Sequence, residues 1–200
     1  IELMPSMEFA TSFSWGYNPS DIFAIESAYG GPTALKALVR AAHERGVAVL
    51  FDVVYNHAGG GLDDESIYFL DRQPNGDANR SLYFTNQGWA GGLVFAYWQQ
   101  PVCQYLIDNA GFFLDEYHVD GFRFDEVTVI DHFGGWSFLQ NITDTLRFKK
   151  PSSALIAEYW ADQSAVLRDR NNGGAGFDSV VDSSLRGAVR QAVSQSAVGR

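Results

Sequence analysis

The sequence holds one cysteine, Cys103, among 200 residues. A single thiol excludes a disulfide framework and cysteine-cluster zinc sites. Positive charge is also scarce: 14 Lys and Arg against 24 Asp and Glu leave a net charge of −10. A field of that sign repels phosphate backbones and anionic lipid, which argues against nucleic acid and membrane surfaces as partners. Neutral polar substrates are unaffected by it. No apolar run approaches the roughly 18–20 residues that span a bilayer. Neither an initiator Met nor a charged-then-apolar leader stands before Ile1, so the expectation is a piece of a longer chain. What is present is a globular composition, 46% hydrophobic and 14% aromatic, which rules out disordered and collagen-like chains.

Short apolar strands alternate with amphipathic helices. Residues 1–4 begin as a strand. Gly31-Pro32 opens a helix whose apolar face is Leu35, Leu38, Val39 and Ala42, and Gly46 ends it. The near-continuous apolar run from Val47 to Val54 suits a parallel strand covered on both faces. A helix from Pro101 carries Val102, Leu106, Phe113 and Tyr117 on one stripe. Strands follow at Gly121–Asp125, Ala154–Glu158 and Phe177–Val181, with helices at Trp136–Phe148 and from Ser183 onward. Such alternation implies βαβ units and a parallel sheet. Residues 58–100, rich in Gly, Asn, Asp and aromatics, are too long for an ordinary βα connection. They read as an inserted subdomain or site wall between βα units at residues 1–57 and 101–200.

Three expected strands end in polar groups: Asp52-Val-Val-Tyr-Asn56-His57, Gly121-Phe-Arg123-Phe-Asp125 and Ala157-Glu158-Tyr159-Trp160. Buried strands that end this way lose stability unless those groups are paired, hydrogen-bonded or used. Arg123 and Asp125, two residues apart, share one face of their strand, with Phe122 and Phe124 on the other. The guanidinium should keep Asp125 ionised. Glu158, beside Tyr159 and Trp160, is expected in a drier setting that favours the protonated acid. An ionised carboxylate facing a protonated one is the equipment of glycoside hydrolysis. Aromatic faces stack on sugars, and Trp15, Tyr17, Trp89, Tyr97 and Trp98 all fall in expected loops. The acidic group Asp63, Asp64 and Glu65 lacks EF-hand spacing and reads as a solvated face, so calcium is not indicated.

These segments, in this order, resemble the first three signature regions of glycoside hydrolase family 13, the α-amylase family. Glu2-Leu-Met-Pro5, Trp15-Gly-Tyr17 and Tyr29-Gly-Gly-Pro32 extend the similarity over nearly the whole chain. The resemblance implies a (β/α)₈ barrel, here partial: five strands, the second to the sixth, with an insertion after the third. It implies Asp125 as nucleophile, Glu158 as general acid/base and Arg123 as the group orienting the nucleophile. His57 and Tyr17 would contact the sugar at the cleaved bond, and Asp52 and Asn56 would hold the site together. Trp15, Tyr159 and Trp160 join them as expected sugar contacts. The partner is an α-1,4-linked glucan such as glycogen, starch or a maltooligosaccharide, the setting cytoplasmic, and no cofactor is implied. The family's fourth region, a His-Asp pair carrying a third carboxylate, has no counterpart here.

Within the family the pattern is mixed. Thr128 and Val129 stand where many endo-acting α-amylases carry Lys-His. Gly121-Phe-Arg-Phe-Asp-Glu-Val-Thr128 resembles glucan branching enzymes, whereas Tyr159-Trp160 leans toward isoamylase-type debranching enzymes. Branching is the leading expectation. α-Glucan hydrolysis, by a debranching enzyme, an α-amylase or a trehalohydrolase, is the alternative, with a non-catalytic glucan-binding relative behind it.

Overall fold

A computed structural model describes residues 1–11, 13–58, 71 and 81–197. In chain order its elements are β1 (Glu2–Leu3), β2 (Met7–Phe9), β3 (Pro19–Ile25), α1 (Gly31–His43), β4 (Leu50–Val53), β5 (His57–Ala58), β6 (Phe84–Trp89) and β7 (Gly92–Phe95). There follow α2 (Gln100–Tyr117), β8 (Gly121–Phe124), α3 (Val127–His132), α4 (Trp136–Lys149), β9 (Ala154–Ala157), α5 (Gln163–Leu167), β10 (Ser179–Val180) and α6 (Ser183–Ala197). Five strands form one sheet in the order β1-β4-β8-β9-β10, every pair parallel. Neighbours in space are successive βα units in sequence, the arrangement of consecutive strands in a (β/α) barrel.

One face of the sheet is fully covered, whereas Leu50, Arg123, Ala154 and Ile156 on the other are only half-buried. Phe51, Val53, Phe122, Phe124, Leu155 and Ala157 are all buried. From α2 the stripe Val102, Leu106, Phe113 and Tyr117 packs on the sheet, and the Phe113 ring stacks on Phe51 at 4.6 Å between centroids. In α1 the expected face is narrower than the sequence suggested. Leu35 and Val39 are buried, but Leu38 is 42% exposed. The run from Val47 also starts its ladder later, at Leu50. Gly46, at φ +69°, turns the chain out of α1 in the left-handed region open to glycine.

Two small antiparallel sheets have no counterpart in the sequence reading. One pairs β2 with β3, and the other has the order β5-β7-β6. The second uses His57 and Ala58, directly after barrel strand β4, as its edge. Trp89, expected in a loop, ends strand β6. The acidic group at positions 63–65 lies outside the described residues, as does much of the expected insertion. Among the described residues, no helix is long and apolar enough to cross a membrane.

Candidate active site

The register of the parallel sheet builds the site. Asp52 on β4 pairs with Arg123 on β8, which pairs with Ile156 on β9. The ladder continues one step past the strands: Asp125 donates its N–H to the Val53 carbonyl at 3.0 Å, and Glu158 to Phe124 at 3.0 Å. Asp52, Arg123, Asp125 and Glu158 therefore stand together at the carboxyl ends of three adjacent strands, the face on which barrel enzymes carry their chemistry.

Arg123 is the hub. Its Nη1 lies 3.0 Å from both Asp52 oxygens and 2.6 Å from Asp125 Oδ1, and its Nη2 lies 2.8 Å from Glu158 Oε2. Alternation along β8 explains the Asp125 contact, since residues two apart share a face. Phe122 and Phe124 fill the opposite face and are fully buried. Three carboxylates on one cation leave excess negative charge, which is costly where water is scarce. Asp52, the most deeply buried of the three, is where the cost shows. Burial raises its carboxyl to about 6, against the pull of Arg123 and the Tyr17 hydroxyl. The same carboxylates hold Arg123 protonated in spite of its burial.

Tyr17 donates its hydroxyl to Asp52 Oδ2 at 2.8 Å, and the Arg123 guanidinium lies 5.8 Å from the centre of its ring. Asn56 donates from Nδ2 to Asp125 twice, to Oδ2 at 2.8 Å and to the backbone carbonyl at 2.9 Å. His57 Nδ1 rests on the Asn56 side-chain oxygen, and Nε2 donates to the Tyr17 carbonyl at 2.9 Å. Burial pushes the ring below its ordinary value, opposed by the Tyr17 contact. Tyr17, Asp52, Asn56 and His57 thus form one connected frame around Asp125.

Three expectations change. Glu158 is not in a drier setting: its side chain is 18% exposed against 12% for Asp125. Its Oε2 also accepts the Glu126 N–H at 3.0 Å. Tyr159 does not face a substrate. It follows Glu158 by one position, so alternation turns it to the other side, where it is buried and donates its hydroxyl to Asp131 at 2.7 Å. Tyr97 is likewise buried rather than open. Its hydroxyl reaches the backbone carbonyls of Tyr55, at 2.7 Å, and Asn56, at 3.1 Å, and so ties down the end of β4. Of the aromatics expected to meet a sugar, Trp15 and Trp98 are open and Trp160 and Trp89 less so.

Glu126 was missed by the sequence reading, and Thr128 was read only as a mark of subfamily. Glu126 adopts φ +40°, an uncommon left-handed conformation for a non-glycine residue, and Thr128 Oγ1 accepts the Trp160 N–H at 2.9 Å. The left-handed residue itself has no sequence signal. Among the described residues, no cluster of three or more His, Cys, Asp or Glu is arranged to hold a metal ion.

The parallel sheet with carboxylates gathered at its carboxyl end is part of a (β/α) barrel of the kind found in glycan-active enzymes. Residues 5–93 match the family model described as alpha amylase, catalytic domain, and with the relatives below, matched over about nine-tenths of its length, the chain belongs to the α-amylase family. The 1,4-alpha-glucan-branching enzyme of Dictyostelium discoideum is 34% identical over 204 residues, a match covering 89% of this chain and 29% of that protein. The malto-oligosyltrehalose trehalohydrolase of Saccharolobus solfataricus is 31% identical, over 90% of this chain and 30% of its own. Among solved structures, the alpha-amylase of Geobacillus thermoleovorans, complexed with acarbose, superposes with a TM-score of 0.75 at 27% identity, covering 95% of this chain and 42% of that one. The chain thus spans under a third of the length of these curated relatives.

Proposed function

We propose that the protein carrying this sequence is a retaining α-glucan-active enzyme, and that its reaction is 1,4-α-glucan branching. The observation that supports the chemistry is the convergence of Asp125 and Glu158, from adjacent strand ends, on the one guanidinium of Arg123. Asp125 attacks the anomeric carbon, the glycosidic C–O bond breaks, and the proton on Glu158 goes to the departing oxygen. In the second half the incoming hydroxyl gives its proton to Glu158 while its oxygen displaces Asp125 from the same carbon. Arg123 and Asn56 aim Asp125, because each bonds one of its carboxylate oxygens. His57, Tyr17 and Trp15 contact the donor sugar.

Branching requires a sugar hydroxyl to outcompete water, which demands an acceptor chain held at high effective concentration. Exposed Trp15, Trp98 and Trp160 are suitable platforms, and Thr128 and Val129 in place of a Lys-His pair argue against plain endo-hydrolysis. The branching relatives at 31–35% identity support the same reading. The trehalohydrolase relative and the Tyr159-Trp160 segment favour hydrolysis as the second reading. Incubation of the complete protein with amylose separates them. Branching lowers the iodine colour with almost no rise in reducing ends until a debranching enzyme is added. Reducing ends that climb in step with colour loss would put hydrolysis first.

A further inference from the structure

The turn after Asp125 carries a second acidic side chain that the reaction above does not use. Glu126 leaves β8 at φ +40°, and the segment it begins is stitched to the end of β9. Glu126 donates its N–H to Glu158 Oε2 at 3.0 Å, Val127 donates to the Glu158 carbonyl at 2.8 Å, and Trp160 donates back to Thr128 Oγ1 at 2.9 Å. Glu126 is half-buried; burial raises its carboxyl, and the charges of Glu158 and Asp125 raise it further. A non-glycine left-handed residue costs free energy, and such strain persists where the surroundings over-determine it.

The chemistry gives this corner a direction. An acid/base sits against the glycosidic oxygen, so groups clustered around Glu158 face the sugar that departs or arrives. Trp160 stands two positions beyond Glu158 and is 40% exposed. A stacking face with an adjacent carboxylate is a common means of holding a neutral sugar, the ring packing on the indole and its hydroxyls donating to the acid. We propose that Glu126, held beside Glu158 by its backbone N–H, is a specificity-determining residue that accepts hydrogen bonds from the hydroxyls of the acceptor-side sugar. The proposal rests on the retaining glucan reaction argued above.

The test uses the complete protein with a maltosyl fluoride donor, whose fluoride leaves without any acceptor-side sugar, and maltooligosaccharides as added acceptors. Replacing the carboxylate in Glu126→Gln removes an accepting oxygen while keeping shape. Asn tolerates the left-handed region, so Glu126→Asn is the variant that protects against misfolding. Both should raise the acceptor concentration needed for half-maximal transfer about tenfold, the loss of one charged hydrogen bond. Fluoride release without acceptor should fall by a factor at least five times smaller. Equal losses on the two measurements would overturn the proposal, as would an unchanged acceptor requirement in both variants. A parent protein that releases no fluoride at all would contradict the reaction itself, and the proposal would fall with it.

Discussion

In the proposed reaction Asp125 forms the bond to the sugar, and its surroundings make its replacement informative. Both of its carboxylate oxygens are held, one by Arg123 and one by Asn56, so Asp125→Asn keeps the shape but loses the ability to form a glycosyl ester. Turnover in the complete protein should fall by about four orders of magnitude or more, while glucan binding changes little. Near-normal turnover by the purified variant would contradict the assignment. Glu158→Gln should act differently. Natural glucans, whose leaving groups need a proton, should suffer far more than fluoride donors, and added azide should restore part of the loss. Equal losses on both substrates would make Glu158 a structural partner of Arg123. Asp52 adds a pH signature. Its folded-state value near 6 lies above that of the unfolded chain, so the folded state takes up a proton as pH falls from about 7 to 5, and stability rises in that window. A carboxyl titration near 6 that disappears in Asp52→Asn is the expected observation, and its persistence would assign the proton elsewhere.

The strands and helices of the main sheet were legible because each announces itself locally. Parallel strands are short apolar runs; α1 and α2 carry Pro in their first turn, and α1, α2 and α4 repeat apolar residues every three or four positions. The antiparallel pairs were not legible: β2 has three residues and β5 only two, too few for a period to show. In the site, Arg123-x-Asp125 could be read because alternation fixes it within four residues. Tyr97, Glu126 and Thr128 could not, since their roles come from contacts that only folding brings together. Tyr159 was misread by proximity to Glu158, when the same alternation rule points it inward. The β8–β9 pairing offers an element-level test. A Cβ on Gly121 would lie 2.0 Å from the Ala154 carbonyl oxygen of the neighbouring strand. Gly121→Ala must therefore separate the two strands that carry Asp125 and Glu158. It should cost about 3 kcal/mol, at the upper end of overpacking effects, and lower activity as well. An unchanged denaturation midpoint would show that the strands are not so closely paired. At the opposite end of the sheet, Asp120 ties together the Val49 N–H just before β4, His43 at the end of α1 and Lys150 just past the end of α4. Burial would raise its carboxyl, but Lys150, Val49 and His43 together hold it down to about 2.

Two apolar edges mark the described sheet as a whole. Beside β1, Ile1, Met4 and Leu38 are exposed, and on α6 so are Leu185, Val189 and Val193, spaced four apart along one stripe. Among the described residues, β1 and β10 each have a single sheet neighbour. Unpaired strand edges beside exposed apolar side chains promote association. The 200 residues alone should therefore elute as oligomers and bind a hydrophobic dye, whereas a cooperatively melting monomer would contradict this. For the complete protein, the strongest test is to trap its intermediate. A maltosyl fluoride carrying a 5-fluoro group slows hydrolysis of the glycosyl ester by destabilising the oxocarbenium-like transition state. Digestion and mass spectrometry should then find one added fluoromaltosyl group on the peptide containing residues 121–126, at Asp125, and none in Asp125→Asn. A label on Glu158 or Glu126, or catalysis by a protein that never acquires one, would contradict the retaining mechanism built on Asp125.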